Sequence, residues 1–178
     1  MKKLITVLNV LTVLALLKMY DIQKSLQIPT KIIQSQSTEV EKFLMHMAKR
    51  ESNNIATVVN KFGMLGKYQF DPRTIKMLGF KITSNQFLTN PRLQDSIMLA
   101  NMRTNNRALS FIINKYDGKI VKGIKVTRSG ILAAAHLAGP QNVIDFITNS
   151  DWDGRTDANG TSVREYMTTF SRYKIINI

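Results

Sequence analysis

Glu51 is followed at once by Ser52, and the pair closes a stretch with helical periodicity. Val40, Phe43, Leu44 and Met47 recur at i, i+3, i+4 and i+7, one apolar face of a helix. Glu51 lies four residues beyond Met47 and continues that face at the helix end. A carboxyl placed there is expected to be partly desolvated, which favours its neutral form and raises its pKa. Such a group holds a proton near neutral pH and can give it to a leaving oxygen, the step that glycoside cleavage requires. The bland alternative is a solvated helix end paired with Lys49 or Arg50. Asp71 is the nearest candidate for a second carboxylate, but with Pro72 behind it the residue reads as a helix cap. Asp157 is distant in sequence.

After Glu51 the chain reaches Gly63-Met64-Leu65-Gly66-Lys67-Tyr68-Gln69-Phe70. Gly63 and Gly66 bracket a turn in which the backbone can take positive φ or approach a ligand closely. Glu51-Ser52 followed by Gly66-Lys67-Tyr68-Gln69-Phe70 resembles the lysozyme-like superfamily of muramidases and lytic transglycosylases, and within it the lambda-type phage endolysins. Two weaker segments agree: Gln94-Asp95, and Ala134-Ala135-His136-Leu137-Ala138-Gly139, which resembles the transglycosylase Ala-Ala-Tyr-Asn-Ala-Gly motif. There His136 stands for the tyrosine and Leu137 for the asparagine. The resemblance covers roughly residues 38–173.

The resemblance implies a mainly α, α+β lysozyme-like fold, a helical domain with a small β element beside a sugar-binding cleft. It implies Glu51 as general acid/base and Ser52, Tyr68, Gln69 and His136 as substrate contacts. On the residues alone, Tyr68 and Phe70 also suit a core, and a lone histidine on an apolar helix is commonly a satisfied core residue. Gln94-Asp95 reads as structural.

The elements that must position these residues follow from caps and periodicity. Thr38 with Glu41 fits a capping box opening the first helix. Residues 52–62 read as irregular or as including a short strand at Ala56–Val59, and Tyr68–Phe70 suits a short strand lining a cleft. Asp71-Pro72 and Asn90-Pro91 each begin a helix, the second running from Arg92 to Met102, with residues 80–90 as a connection. Asn105 and Asn106 precede an apolar-periodic stretch, Ala108–Tyr116. Lys119–Val126 is a loop or short surface strand. Thr127 caps the most apolar helix, Ser129–Leu137, whose small residues suit close packing. Val143–Ile147 is a short helical stretch. Ser162 and Glu165 fit a capping box for the last helix, on which Tyr166 and Phe170 share a face.

Composition excludes several chemistries. Cysteine is absent, so there is no disulfide framework, thiol nucleophile or cysteine metal site. Only two histidines occur. The Asp151-Trp152-Asp153 loop lacks the ligand spacing and terminal Glu of a calcium-binding EF-hand, so no metal or other cofactor is expected. Trp152 suits either sugar stacking or the core. The net charge of +13 is spread along the chain and attracts polyanions, nucleic acid or an anionic cell envelope alike. No nucleic-acid-binding motif accompanies it.

Residues 1–20 carry two lysines and then an apolar run, Leu4 to Leu17, ended by Lys18. They read as an N-terminal apolar helix serving as a signal peptide or signal anchor. Residues 21–36 read as a tether and 37–178 as the domain. The expected partners are peptidoglycan strands, with membrane association through residues 1–20 or association with virion proteins. The expected location is the periplasm or cell envelope, or alternatively a phage virion. With no evident partner for Glu51, the expectation leans to a lytic transglycosylase over a muramidase. The alternative is a non-catalytic structural or virion protein that keeps the lysozyme-like fold and binds through a basic surface.

Overall fold

The computed structural model describes residues 30–149, 160–176 and 178. The expected signal segment, most of the tether, and the loop holding Trp152 and Asp157 lie outside the described residues. The chain divides between Ser37 and Thr38, and the description below concerns the larger unit, residues 38–178.

The fold is mainly helical. In chain order it runs α1 (Thr30–Ser52), α2 (Pro72–Met77), α3 (Ser84–Leu88), α4 (Pro91–Ala108), α5 (Ser110–Tyr116), β1 (Ile120–Val121), β2 (Ile124–Lys125), α6 (Arg128–Ala138), α7 (Pro140–Thr148) and α8 (Val163–Thr169). The two strands form an antiparallel hairpin with Ile120 opposite Lys125 and Val121 opposite Ile124. Its two-residue turn, Lys122-Gly123, has positive φ at both positions, the geometry whose twist matches a hairpin.

The centre of the core is α6, which packs against α8, α7 and α4. Every residue from Ser129 to Ala135 is buried. Small side chains permit this: a Cβ added at Gly130 would lie 2.5 Å from the Met167 carbonyl oxygen on α8. Ser129 Oγ donates to the Phe170 carbonyl at 2.6 Å, so the one polar side chain of the buried run is satisfied. Thr127 caps α6 as its position predicts, accepting from Gly130 N. α1 contributes Phe43, Leu44, Met47 and Ala48 to the same core. Each large apolar side chain buried in this way contributes about 1.5–3 kcal/mol.

Several elements differ from the sequence expectation. α1 is already helical at Thr30, so Thr38 lies inside a helix and does not start one. No glycine or proline stands between Pro29 and Glu51, and a local cap pattern cannot stop a helix that its neighbours continue. α4 runs on through Asn105 and Asn106 to Ala108. Asn105 turns inward, its side chain donating to Asn101 Oδ1 at 3.4 Å. The connection 80–90 contains α3, five residues held by a Thr83–Gln86 capping box and too short to show a period. Of the two readings of 52–62 the irregular one holds, and there and at Tyr68–Phe70 strand pairing is limited to single bridges, Val59 with Leu65 and Leu65 with Phe70. Positive φ at Gly63, Gly66 and Gln69 prevents extended pairing. The Ser162 box forms by half: Ser162 Oγ accepts from Glu165 N, while the Glu165 carboxylate turns to Arg50.

Candidate active site

Glu51 sits in the last turn of α1, half-buried. Its Oε1 accepts a hydrogen bond from the Tyr166 hydroxyl at 2.5 Å. Tyr166 is 3% exposed and lies on α8 beside Phe170, with ring centroids 5.5 Å apart. Burial, and then the charge and hydrogen bond of Glu51, push the Tyr166 phenol above its ordinary range, so it stays a donor. Arg50 adds a second tie: it ion-pairs with Glu165, and its guanidinium lies 5.6 Å from the centre of the Tyr166 ring. The end of α1 and the first turns of α8 are thereby joined by two adjacent residues on each side. Glu51 Oε2 accepts no hydrogen bond from a described residue.

Ser52 connects this helix end to the glycine loop. Its Oγ donates to the Lys67 carbonyl at 2.9 Å and accepts from Ile55 N at 3.1 Å. Gln94, fully buried on α4, holds the same loop from the opposite direction. Its Oε1 accepts from Lys67 N at 2.8 Å, and its Nε2 donates to the Ala56 and Phe87 carbonyls at 2.9 Å each. Gly66 is required here: its φ is +70°, and a Cβ would lie 2.4 Å from Gln94 Oε1. Tyr68 is 1% exposed and donates to Asp95 Oδ1 at 2.5 Å. Burial and the Asp95 carboxylate push its phenol upward. Lys67 Nζ reaches the same Asp95 oxygen at 2.8 Å.

His136, on α6, completes the clamp. Its Nε2 contacts the Tyr68 carbonyl at 2.9 Å and its Nδ1 the Asn101 amide nitrogen at 3.1 Å. A carbonyl can only accept, so Nε2 carries the proton and Nδ1 accepts. The ring stands edge-on to Phe70, 4.9 Å between centroids. Gln69 has φ +50° and folds its amide onto the Gly66 carbonyl at 2.8 Å. Ser52, Tyr68, Gln69 and His136 are thus gathered at one loop, each with at least one side-chain hydrogen bond to the protein itself. A groove of about 240 Å³ runs beside this loop, lined in part by Ala48, Asn54, Lys67 and Asp95.

Asp71 caps α2 by accepting from Arg73 N at 2.8 Å. The hydrogen bond from the Arg73 side chain holds its carboxyl below the usual range. Asp95, Asp117, Asp145 and Glu165 also accept hydrogen bonds or ion pairs. No three His, Asp or Glu side chains gather as metal ligands among the described residues. Sequence reasoning missed two partners, Tyr166 for Glu51 and Asn101 for His136. Each bond joins residues 115 and 35 positions apart respectively, and no local pattern announces either. Comparison of the chain with family models, curated proteins and solved structures finds no match.

Proposed function

We propose that residues 38–178 form a lysozyme-like domain that cleaves the β-1,4 bond between N-acetylmuramic acid and N-acetylglucosamine in peptidoglycan. Glu51 is its acid and base. The observation that carries the reading is the Glu51 carboxyl: half-buried, held at one oxygen by Tyr166, and joined through Ser52 to the clamped Gly66–Phe70 loop. A carboxyl fixed at one oxygen has the other in a defined direction for proton transfer.

The reaction type is that of a lytic transglycosylase. Glu51 gives its proton to the glycosidic oxygen, and the C1–O bond breaks with the electron pair leaving on that oxygen. The muramic 6-hydroxyl then bonds to C1, and its proton returns to Glu51. No water is consumed and no second carboxylate is needed. The engagement of the other carboxylates named above favours this over a hydrolase, which uses a second carboxylate to activate water. In this reading residues 1–20 export the domain or anchor it at the envelope, and peptidoglycan strands are its partner.

A second reading, a non-catalytic wall or virion protein of the same fold, is favoured by one fact. Ser52, Tyr68, Gln69 and His136 each bond to the protein itself, which commits much of their hydrogen-bonding capacity before any sugar arrives. One experiment separates the readings: digestion of purified peptidoglycan by the full chain and by Glu51→Gln, with products read by mass spectrometry. The expected result is anhydro-muramic ends, reduced about 10²-fold or more in Glu51→Gln. Reducing muramic ends would replace the transglycosylase by a muramidase. Intact glycan on several wall types, from a folded protein, would leave the non-catalytic reading.

A further inference from the structure

The outer face of α1 carries a second group of side chains, of which only Arg50 also belongs to the site described above. Lys42, His46, Lys49 and Arg50 follow one another at helical spacing and line a cavity closed on its far side by Arg172 and Tyr173. Two of the four cations are balanced: Lys42 by Glu39 at 2.9 Å, and Arg50 by Glu165. Lys49 and Arg172 have no acidic partner among the described residues, which leaves two positive charges facing one cavity.

Arg172, Tyr173 and His46 are linked by hydrogen bonds in the cavity. Arg172 Nη2 lies 3.0 Å from the Tyr173 hydroxyl, to which it can only donate. That hydroxyl lies 2.8 Å from His46 Nδ1. Arg172 Nη2 also lies 3.5 Å from His46 Nδ1, and a guanidinium can only donate, so Nδ1 is the acceptor there and receives the Tyr173 hydroxyl proton as well. The His46 proton is therefore on Nε2. The ring is held in place by Phe170, 4.5 Å away between centroids. Lys49, Arg172 and the imidazole N–H are donors, while Glu39, the one carboxylate of the lining, is occupied by Lys42 and by Lys174 N at 3.3 Å.

We propose that this cavity, built by Lys49, Arg172 and His46, is a binding site for a phosphate group. Two unbalanced cations match a dianionic phosphate better than a single carboxylate, and the guanidinium fork suits tetrahedral oxyanions. Burial first, and then Arg172, Arg50 and Lys49, hold His46 below the usual histidine range, as expected of an imidazole in a positive field awaiting an anion. The phosphate can be a soluble or polymer-borne ester, or the headgroup of an anionic lipid.

The chain's two histidines make the test direct. His46 lines the cavity and His136 does not, so the ring resonances of the full-length protein report the site and an internal control. Inorganic phosphate is titrated at constant ionic strength. The expected result is a saturable shift of His46 and a rise of about one unit in its titration midpoint, with His136 unmoved. In Lys49→Gln/Arg172→Gln the apparent Kd weakens about tenfold or more. Equal, linear shifts of both histidines, or an unchanged curve in the double variant, would overturn the site. Glycerol phosphate and phosphatidylglycerol vesicles are then compared as competitors. Competition by the soluble ester identifies a soluble source, and competition by vesicles alone identifies a lipid source. Failure of both competitors against bound phosphate would overturn the assignment to phosphate esters.

Discussion

The Gly66–Phe70 loop and the Glu51–Tyr166 pair adjoin at Ser52, yet they use their polar atoms in opposite ways. In the loop every functional-looking side chain is bonded back to the protein. Gln94 makes three bonds to backbone, Tyr68 meets Asp95, and His136 joins Asn101 to a carbonyl. At Glu51 one carboxylate oxygen is held and the other is not bonded by any described residue. The first arrangement makes a rigid wall, since a fully satisfied buried network favours one conformation. The second is a single carboxyl oriented by Tyr166, one residue before the Ser52 that bonds to the loop. On the proposed function, residues of similar chemical type a few positions apart divide between stability and reactivity, and mutation should separate the two.

The largest effects are expected in the loop. In Gly66→Ala the residue must hold φ +70° and place a Cβ 2.4 Å from Gln94 Oε1, on a side chain with no room to retreat. Left-handed strain and overpacking together should cost about 3 kcal/mol. Gln94→Ala strands Lys67 N and the Ala56 carbonyl and empties a buried site, at a similar cost, while the Phe87 carbonyl keeps Asn90 N at 3.2 Å. Because the same amide is the obstacle in the first variant and the loss in the second, the double variant should be less destabilised than the sum. A double-mutant cycle by urea unfolding measures this. Full additivity would mean that Gln94 does not clamp the loop.

Tyr166→Phe should show the reverse pattern. The ring keeps its packing on Phe170, so stability should change by less than about 1 kcal/mol. The hydroxyl that orients Glu51 is lost, and on the proposed function the cleavage rate should fall about tenfold or more, most of it in kcat. Thermal unfolding measured beside peptidoglycan turnover checks both halves. A large loss of stability with unchanged turnover would reduce Tyr166 to a core residue and remove the contrast between the two regions.

Much of the wall was legible in the sequence, and the acid's seat was less so. The face through Phe43, Leu44 and Met47, the Asp71 and Thr127 caps and the small-residue packing of α6 all follow from local rules, whereas the bonds of Gln94 to Lys67 and Ala56, 27 and 38 positions away, lie beyond them. Such rules act within a few residues, where caps, periodicity and steric freedom operate. The start of α1, the continuity of α4 and the short α3 escaped for the same reason: helix boundaries depend on competing signals. The Tyr166–Glu51 bond had no local signal. It exists because α8 lies on the Gly130 side of α6, and only tertiary packing brings that face to the end of α1.

The smallest expected effect concerns pH and belongs to neither the wall nor the acid, but to the outer face of α1. His46 is held below the usual histidine range, by burial first and by Arg172, Arg50 and Lys49 after it, with Glu39, Lys42 and Tyr173 as its other neighbours in the cavity. Between the folded value and the unfolded value of about 6.5, the unfolded chain binds more protons. The contribution of neutral His46 is therefore complete above that unfolded value and is lost as pH falls through the window below it. The melting temperature should drop between pH 7 and pH 5, and His46→Gln should flatten that drop without abolishing it, since carboxylates also titrate towards its acid end. Phosphate at the α1 cavity should flatten it too, by stabilising the charged imidazole. An identical pH profile in His46→Gln would mean that the imidazole is solvated and senses none of the cations around it.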